Sequence, residues 1–165
     1  QMIPKRDGDM GPLNIGSAIY RLVSRLIAIR FTKLVGEKLA PLQFCIGVPG
    51  GVEINAAITE TCYYNNLDVV SVDLKNGCNL IPRSLVYKQL KSLCPVLLPY
   101  FVQTHGKPSN AYCLNGFKIG TVEQGVRQGD PMASLFFSVG IQGVLQLIQQ
   151  KVRNVVKDQP SATIA

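Results

Sequence analysis

Residues 67–79, which read LDVVSVDLKNGCN, place an acidic residue directly after a short apolar run. The apolar members of the run are Leu67, Val69, Val70 and Val72. A β-branched run of this kind, too short for a typical helix, predicts a buried strand. Asp73 stands where the run stops, and Lys75, Asn76 and Gly77 then predict a turn. A carboxylate at the end of a buried strand stands where an α/β protein would hold a metal ion or a phosphate. The alternative is that Asp73 begins a turn or caps a helix.

The charge balance is basic, with 17 Lys and Arg residues against 10 Asp and Glu residues and a formal net charge of +7. This surplus is compatible with a polyanionic partner such as nucleic acid, although net charge alone does not identify one. The 165 residues are enough for one domain with a buried core. No apolar run approaches the roughly 18 residues needed to cross a bilayer, so no membrane partner is expected.

The five cysteines include no pair with CxxC spacing, and His105 is the only histidine, so a structural zinc site is not expected. The cysteine count is odd, and the polar N-terminus contains no apolar signal segment. This combination predicts reduced thiols and an intracellular protein, cytoplasmic or nuclear. We interpret His105 as a helix-end residue rather than a catalytic group, since no constellation of Ser, Cys or acidic residues surrounds it in sequence.

An amphipathic helix is predicted from Asn14, which would cap it, to Gly36, which would end or interrupt it. Its apolar stripe, with members three and four residues apart, is Ile15, Ile19, Leu22, Val23 and Leu26. Arg21 and Arg25 share another face of this helix. Two interpretations of the pair remain open, a solvated helix face and a contact with nucleic acid.

Shorter elements are predicted further along the chain. Residues 41–51 predict a strand closed by a Pro-Gly-Gly loop, and residues 52–64 predict a helix that packs inward through Val52, Ala56 and Ala57. Pro82 fits the first position of another helix, and residues 95–105 predict one more. Asn115-Gly116, between the short segments 112–114 and 117–121, gives the strongest local signal for a β-hairpin.

Asp130 followed by Pro131 predicts the start of a long helix, because a capping carboxylate precedes a proline at the first helical position. The apolar stripe of this helix is Met132, Leu135, Phe136, Val139, Val144, Leu147 and Ile148. Gln128 and Gly129 come just before it. The glycine permits an unusual φ and the close approach of a ligand, and the glutamine amide can bond a base edge or a sugar. An ordinary loop and cap is the alternative.

In this order and spacing, the segments resemble the reverse transcriptase domain of retroelements, most closely the non-LTR retrotransposon type. The resemblance extends from about Pro12 to Ile148. PLNIGSAIYRLVSR and PLQFCIGVPGGVE resemble the two fingers blocks. VSVDLKNGCNLIPR resembles the palm motif that carries the first metal-binding aspartate, and EQGVRQGDPMASLFFSVGI resembles the glycine-hinged motif before the long palm helix.

The fold that this resemblance implies is α+β, with helical fingers packed on a small antiparallel palm sheet and the strand of Asp73 at its centre. Residues 12–66 would form the fingers, and residues 67–165 would form part of the palm, with residues 94–108 as a helical insertion. The implied activity is that of an RNA-directed DNA polymerase, a nucleotidyltransferase that uses two Mg²⁺ ions. Its partners would be an RNA template, a DNA primer and a dNTP.

The resemblance also implies roles for individual residues. Asp73 would be catalytic and bind both metal ions, and the Leu74 carbonyl would help to hold one of them. The nucleotide-binding residues would be Lys75, Cys78, Gln128 and Gly129. The residues in contact with nucleic acid would be Arg21, Arg25 and Arg127. Contacts of arginines with backbone phosphates are independent of sequence and weaken with salt.

The chain departs from the family pattern because it has no Asp-Asp pair. In the family, a Tyr-x-Asp-Asp turn follows the long helix and supplies the remaining carboxylates. The C-terminal letters PSATIA resemble the start of the strand that leads into that turn, so we expect a fragment ending before it. We expect no polymerisation by these residues alone, since one carboxylate cannot hold two cations close together.

Three smaller departures concern Gly11, Cys45 and Cys78. The family usually has an arginine, a glycine and a bulky aromatic residue at these positions. A cysteine at position 78 is smaller than the aromatic residue, which would weaken discrimination against ribonucleotides. Three hypotheses follow: a polymerase core fragment, a non-catalytic nucleic-acid-binding or scaffold domain derived from the same family, and a basic α/β domain with no site.

Overall fold

A computed structural model of the chain describes residues 2–4, 10–12, 15–113 and 115–157. Its elements in chain order are β1 (Met2–Pro4), β2 (Met10–Pro12), α1 (Ala18–Leu39), α2 (Gly51–Tyr64), α3 (Gly77–Leu80), α4 (Arg83–Leu93), α5 (Leu98–His105), β3 (Ser109–Tyr112), β4 (Lys118–Val122) and α6 (Ala133–Lys157). A 3₁₀ turn, Pro95–Leu97, leads into α5. Strand β1 pairs with β2 and β3 pairs with β4, both antiparallel. The mixture of helices and small antiparallel sheets agrees with the predicted α+β class.

The core is centred on α6, which packs against α4, α1 and the short α3. Its buried apolar residues are Val35, Leu39, Ile46, Ile81, Val86, Leu90, Cys94, Leu97, Phe101, Val126, Met132, Ala133, Leu135, Phe136 and Val139. Neither β3 nor β4 contributes a residue to this core. The predicted packing of helices on a sheet is therefore replaced by helix-on-helix packing, because a two-stranded hairpin offers too small a face to support a core.

Helix α6 begins as Asp130-Pro131 predicts. The Asp130 Oδ1 accepts the backbone N–H of Met132 at 2.9 Å, and the helix proper starts at Ala133. The first half of the predicted stripe is buried, but Val144, Leu147 and Ile148 are exposed.

Helix α1 begins at Ala18, where the Ser17 Oγ accepts the Tyr20 backbone N–H at 3.3 Å. The predicted cap, Asn14, lies outside the described residues. The predicted end at Gly36 is wrong, because the helix continues to Leu39. Gly36 is buried instead, and a Cβ there would lie 2.2 Å from the Ile46 carbonyl oxygen.

The predicted apolar stripe of α1 does not face the core. Ile15, Ile19, Leu22, Val23 and Leu26 are all exposed. The buried side of the helix carries Ser24, Val35 and Leu39 instead. The Ser24 Oγ lies 2.7 Å from the Tyr20 carbonyl oxygen and 2.6 Å from the Tyr100 hydroxyl, so its burial is compensated by hydrogen bonds.

Two predictions in residues 41–64 are corrected. Residues 41–50 contain turns and bends, so the predicted strand at 41–51 is wrong. The predicted helix at 52–64 is confirmed as α2, but Val52, Ala56 and Ala57 are exposed rather than packed inward. Helix α2 has no extensive packing against another described element, which leaves most of its surface uncovered.

The predicted buried strand at residues 67–73 is also wrong. The segment has no regular secondary structure, and its apolar side chains are exposed, with Val70 83% accessible. A strand requires a neighbour for its N–H and C=O groups. Within the described part of the chain, β3 and β4 pair only with each other, and no strand lies beside this segment.

The predicted hairpin is confirmed by β3 and β4, which flank Asn115-Gly116. The Cys113 N–H donates to the Phe117 carbonyl at 2.9 Å, and Gly116 has a φ of 83°. Leu114 lies outside the described residues. Helices α4 and α5 confirm the predictions for residues after Pro82 and for residues 95–105, although Pro82 is the N-cap rather than the first helical residue.

Candidate functional site

Two of the segments singled out by the sequence lie against each other. We call residues 73–81 the turn segment and residues 124–130 the hinge loop. The Val126 N–H donates to the Cys78 carbonyl at 2.7 Å, and the Gly125 N–H donates to the Ile81 carbonyl at 3.2 Å. The Gln124 Nε2 also donates to the Leu80 carbonyl, at 2.5 Å. Backbone hydrogen bonds therefore fix the position of the hinge loop against α3.

Gly125 makes this close approach possible. Its φ is 71°, a left-handed conformation in which glycine carries no steric penalty. A Cβ at this position would lie 2.1 Å from the Asn79 carbonyl oxygen and 2.6 Å from that of Cys78. The two backbones could not come this close with any other residue at position 125.

The hinge loop is also joined to α1. The Tyr20 hydroxyl donates a hydrogen bond to the Asp130 Oδ2, and the Arg127 guanidinium lies 5.8 Å from the centre of the Tyr20 ring. Asp130 is 9% exposed, and its carboxylate accepts hydrogen bonds from the Tyr20 hydroxyl and the Met132 N–H. Burial, followed by the hydrogen bond and charge of Asp130, raises the pKa of Tyr20 above its usual value.

Arg83 connects the hinge loop to the end of α5. Its Nε donates to the Gly125 carbonyl at 3.0 Å, and its Nη1 donates to the His105 carbonyl at 3.1 Å. Longer bonds, both 3.4 Å, reach the carbonyls of Lys107 and Val122. Burial, followed by the nearby charge of Arg127, lowers the pKa of Arg83. One side chain thus holds three separate segments at this corner of the fold.

His105 is the last residue of α5, as predicted, and it is 2% exposed. Its ring stacks on Phe101 at a centroid distance of 5.1 Å. Burial, followed by the charges of Arg127 and Arg83, lowers its pKa to about 3, so the ring is neutral near neutral pH. The Nδ1 lies 2.8 Å from the Thr104 hydroxyl, whereas the buried Nε2 has no partner among the described residues.

The predicted site residues fall into two groups. Cys78 and Arg127 belong to the region where the turn segment and hinge loop meet, and both are partly buried. Burial raises the pKa of the Cys78 thiol. Arg127 donates to the Thr104 carbonyl at 2.9 Å, so part of its guanidinium is engaged within the fold.

The remaining predicted site residues are exposed: Arg21, Arg25, Asp73, Leu74, Lys75, Gln128 and Gly129. Gly129 has a φ of 101°, which agrees with the unusual backbone expected there. Among the described residues, the hydrogen bonds between the two segments run through Cys78, Leu80 and Ile81 and not through Asp73. Asp73 stands five positions before Cys78 in the chain.

The donor set does not fit two Mg²⁺ ions. Asp73 supplies one exposed carboxylate, and the Leu74 carbonyl already accepts the Gly77 N–H at 3.0 Å. Across residues 15–113 and 115–157, no three His, Cys, Asp or Glu side chains group together as metal ligands. Two neighbouring divalent ions need more negative charge than one carboxylate provides. We therefore derive no metal-dependent step from these residues.

Sequence reasoning missed Tyr20, Arg83 and the Gln43–Gln142 pair. The Gln43 Nε2 donates to the Gln142 Oε1 at 2.7 Å and to the Ser138 carbonyl at 2.8 Å, inside the core. The one available signal was Arg83, since a cation in the first turn of a helix opposes the helix dipole and indicates a tertiary partner. The glutamines and Tyr20 carry no such local signal.

Comparisons of the chain with protein-family models, with curated proteins and with solved structures found no match. Among the described helices, none combines the length and the apolar character required to cross a bilayer.

Proposed function

We propose that this chain belongs to a reverse transcriptase domain of the non-LTR retrotransposon type, an RNA-directed DNA polymerase. In this proposal it holds an RNA template, a DNA primer and an incoming dNTP. Residues 12–66 are its fingers and residues 67–165 part of its palm. Mg²⁺ would arrive with the phosphates of the nucleotide, because Asp73 and the Leu74 carbonyl are too few ligands to hold ions by themselves.

The observation that supports the proposal is the contact between the turn segment and the hinge loop. Each segment carries its own part of the resemblance. The residues that bond across the contact are far apart in the chain, for example Leu80 and Gln124, which are 44 positions apart. The Cys78 carbonyl and the Val126 N–H nevertheless meet at 2.7 Å. A nucleotide site that uses both segments requires such a contact.

Exposed groups stand close in sequence to the residues of this contact. Lys75 offers a cation to phosphates, and Gln128 offers an amide to a base or sugar. The Tyr20 bond to Asp130 brings in α1, on which Arg21 and Arg25 are exposed to solvent. These residues suit binding and positioning of nucleic acid and nucleotide, which is the part of the activity that the described residues support.

The test is a binding measurement with the chain and a fluorescent RNA–DNA primer–template. Fluorescence anisotropy is recorded with Mg²⁺ and either the dNTP complementary to the template or a non-complementary one. We expect the complementary dNTP to tighten binding severalfold. Asp73→Asn should abolish that gain without changing the affinity for the primer–template itself.

The matched control is Asp68→Asn, which removes the same charge from an exposed position five residues earlier in the chain. This variant should still bind the primer–template more tightly when the complementary dNTP is present. Equal behaviour of the two variants, or an equal response to both nucleotides, would contradict the proposal.

A second candidate is a non-catalytic nucleic-acid-binding or scaffold domain derived from the same family. The exposure of Arg21 and Arg25 on one face of α1 favours it, together with the net charge of +7. It predicts binding that weakens steeply with salt and is insensitive to dNTP and Mg²⁺. Arg21→Gln with Arg25→Gln should then weaken nucleic-acid binding and make the logarithm of the affinity fall less steeply with the logarithm of the salt concentration.

A further inference from the structure

Helices α1 and α2 carry uncovered apolar rows, as does the second half of α6 at Val144, Leu147 and Ile148. On α1 the row is Ile19, Leu22, Leu26 and Ile29, and on α2 it is Val52, Ala56 and Tyr63, with the polar Thr59 between the last two. The spacings of three and four residues place the members of each row on one helix face. Ile19, Val52 and Tyr63 are each more than three quarters exposed, at 77%, 77% and 76%. Proteins that act as monomers seldom leave rows of this kind in contact with water.

The charges beside the two rows have opposite signs. Residues 15–36 contain Arg21, Arg25, Arg30 and Lys33 and no acidic residue. Residues 39–74 contain Glu53, Glu60, Asp68 and Asp73 and no Lys, Arg or His. Arg30 and Lys33 continue the α1 row by one more turn, and Glu53 and Glu60 border the α2 row. All four of these bordering side chains are exposed.

We infer that the occupant of these rows is a second copy of this chain, with α1 of each copy against α2 of the other. The apolar rows meet, and the cations of one copy face the carboxylates of its partner. A two-fold axis repeats the same contact, so both rows of both copies are covered in one closed dimer. Opposite charges at the edges of the contact set its register and exclude pairings of α1 with α1.

The lengths of the two rows also agree. Val52 to Tyr63 spans 11 positions, and Ile19 to Ile29 spans 10 positions. At a rise of about 1.5 Å per residue, the rows are roughly 16 Å and 15 Å long. A partner helix of another protein would need both an apolar row of this length and flanking carboxylates, which α2 of a second copy already provides.

The experiment measures the mass of the full chain in solution over a range of concentrations, by sedimentation velocity without nucleic acid or Mg²⁺. One variant carries Glu53→Lys and Glu60→Lys. A second carries Arg30→Glu and Lys33→Glu. In each variant alone, both contacts of the dimer bring like charges together, so its dimer dissociation constant should rise at least about tenfold.

The decisive arm is a 1:1 mixture of the two variants. Each contact then again joins opposite charges, so the mixture should form a mixed dimer at concentrations where either variant alone is monomeric. Circular dichroism confirms that each variant is folded. Lys88→Glu with Lys91→Glu, at exposed positions on α4, is a matched charge change that should leave the wild-type dimer intact.

A wild-type chain that stays monomeric throughout, that forms larger aggregates, or whose two variants fail to associate on mixing would overturn the inference. Arg21 and Arg25 are unchanged in all variants. The result is therefore independent of whether the chain binds a primer–template, and failure of one proposal leaves the other standing.

Discussion

The Tyr20 hydroxyl donates a hydrogen bond to the Asp130 Oδ2, which joins the first turn of α1 to the residue that caps α6, 110 positions later. The bond also closes the candidate site, because the hinge loop ends at Asp130 and α1 carries Arg21 next to Tyr20. Removing it tests how strongly the two halves of the site depend on each other.

Tyr20→Phe should lower the free energy of unfolding by about 1–3 kcal/mol, since one oxygen of a buried carboxylate loses its donor. Chemical denaturation of the variant and the wild type measures this difference. Tyr64→Phe removes a hydroxyl from a side chain that is 73% exposed, and it should change stability little. Equal losses in the two variants would mean that the Asp130 contact contributes nothing measurable.

The neutral state of His105 should make stability depend on pH. Its pKa in the folded chain is about 3, whereas an unfolded histidine has a pKa of about 6.5. Below about pH 6.5 the unfolded chain therefore binds a proton that the folded chain does not bind. The contribution of the neutral His105 to the free energy of unfolding is fully present above that pH. It declines as the pH falls towards 3, by up to about 1.4 kcal/mol per pH unit.

Urea denaturation between about pH 7 and pH 5 measures this slope where carboxylates remain largely ionised. His105→Phe keeps an aromatic ring against Phe101 and removes the titrating group. Because His105 is the only histidine, the variant should have a flatter profile over this range. A profile as steep as that of the wild type would contradict the assignment.

Local signals predicted the local parts of this fold. Asn115-Gly116 predicted the hairpin, because Asn and Gly readily adopt turn conformations whatever surrounds them, and Gly116 has a positive φ here. Asp130-Pro131 predicted the start of α6, because capping involves only neighbouring residues. Gly129 was expected to have an unusual φ, and it has one.

Predictions that depended on a distant partner were less successful. Helix α1 has apolar residues on two faces, and its periodicity could not show that the side with Ser24 would be buried. The run ending at Asp73 has the composition of a strand, yet a strand forms only beside another one. The link between Tyr20 and Asp130 depends on tertiary packing over 110 positions, for which sequence spacing gives no signal.

Gly125→Ala should separate the turn segment from the hinge loop. A Cβ there would stand 2.1 Å from the Asn79 carbonyl oxygen, and backbone cannot yield as a flexible side chain can. Gly116→Ala is the matched control, because its φ of 83° is also positive but nothing lies within 4 Å of its Cβ position. We expect a loss of about 1 kcal/mol at Gly116 from backbone strain.

At Gly125 we expect a loss of about 3 kcal/mol or more, since a steric conflict adds to the same strain. Thermal or urea denaturation gives both values. The Gly125 variant should in addition lose the tightening of primer–template binding by dNTP, and the Gly116 variant should keep it. Similar losses of stability in the two variants would show that the close approach at Gly125 is unimportant.

Arg83 should contribute through its geometry rather than its charge alone. Its guanidinium reaches the carbonyls of Gly125 and His105 at 3.0 and 3.1 Å, and two more at 3.4 Å. Arg83→Lys keeps the charge, but a single ammonium cannot reach groups arranged around a planar fork. The variant should therefore lose about 2–3 kcal/mol of unfolding free energy, close to the loss in Arg83→Met.

Lys88→Met, at an exposed position on the same helix, should stay within about 0.5 kcal/mol of the wild type in the same denaturation series. If Arg83→Lys matched the wild type, the positive charge would be sufficient and the bonds to the hinge loop would not determine its position.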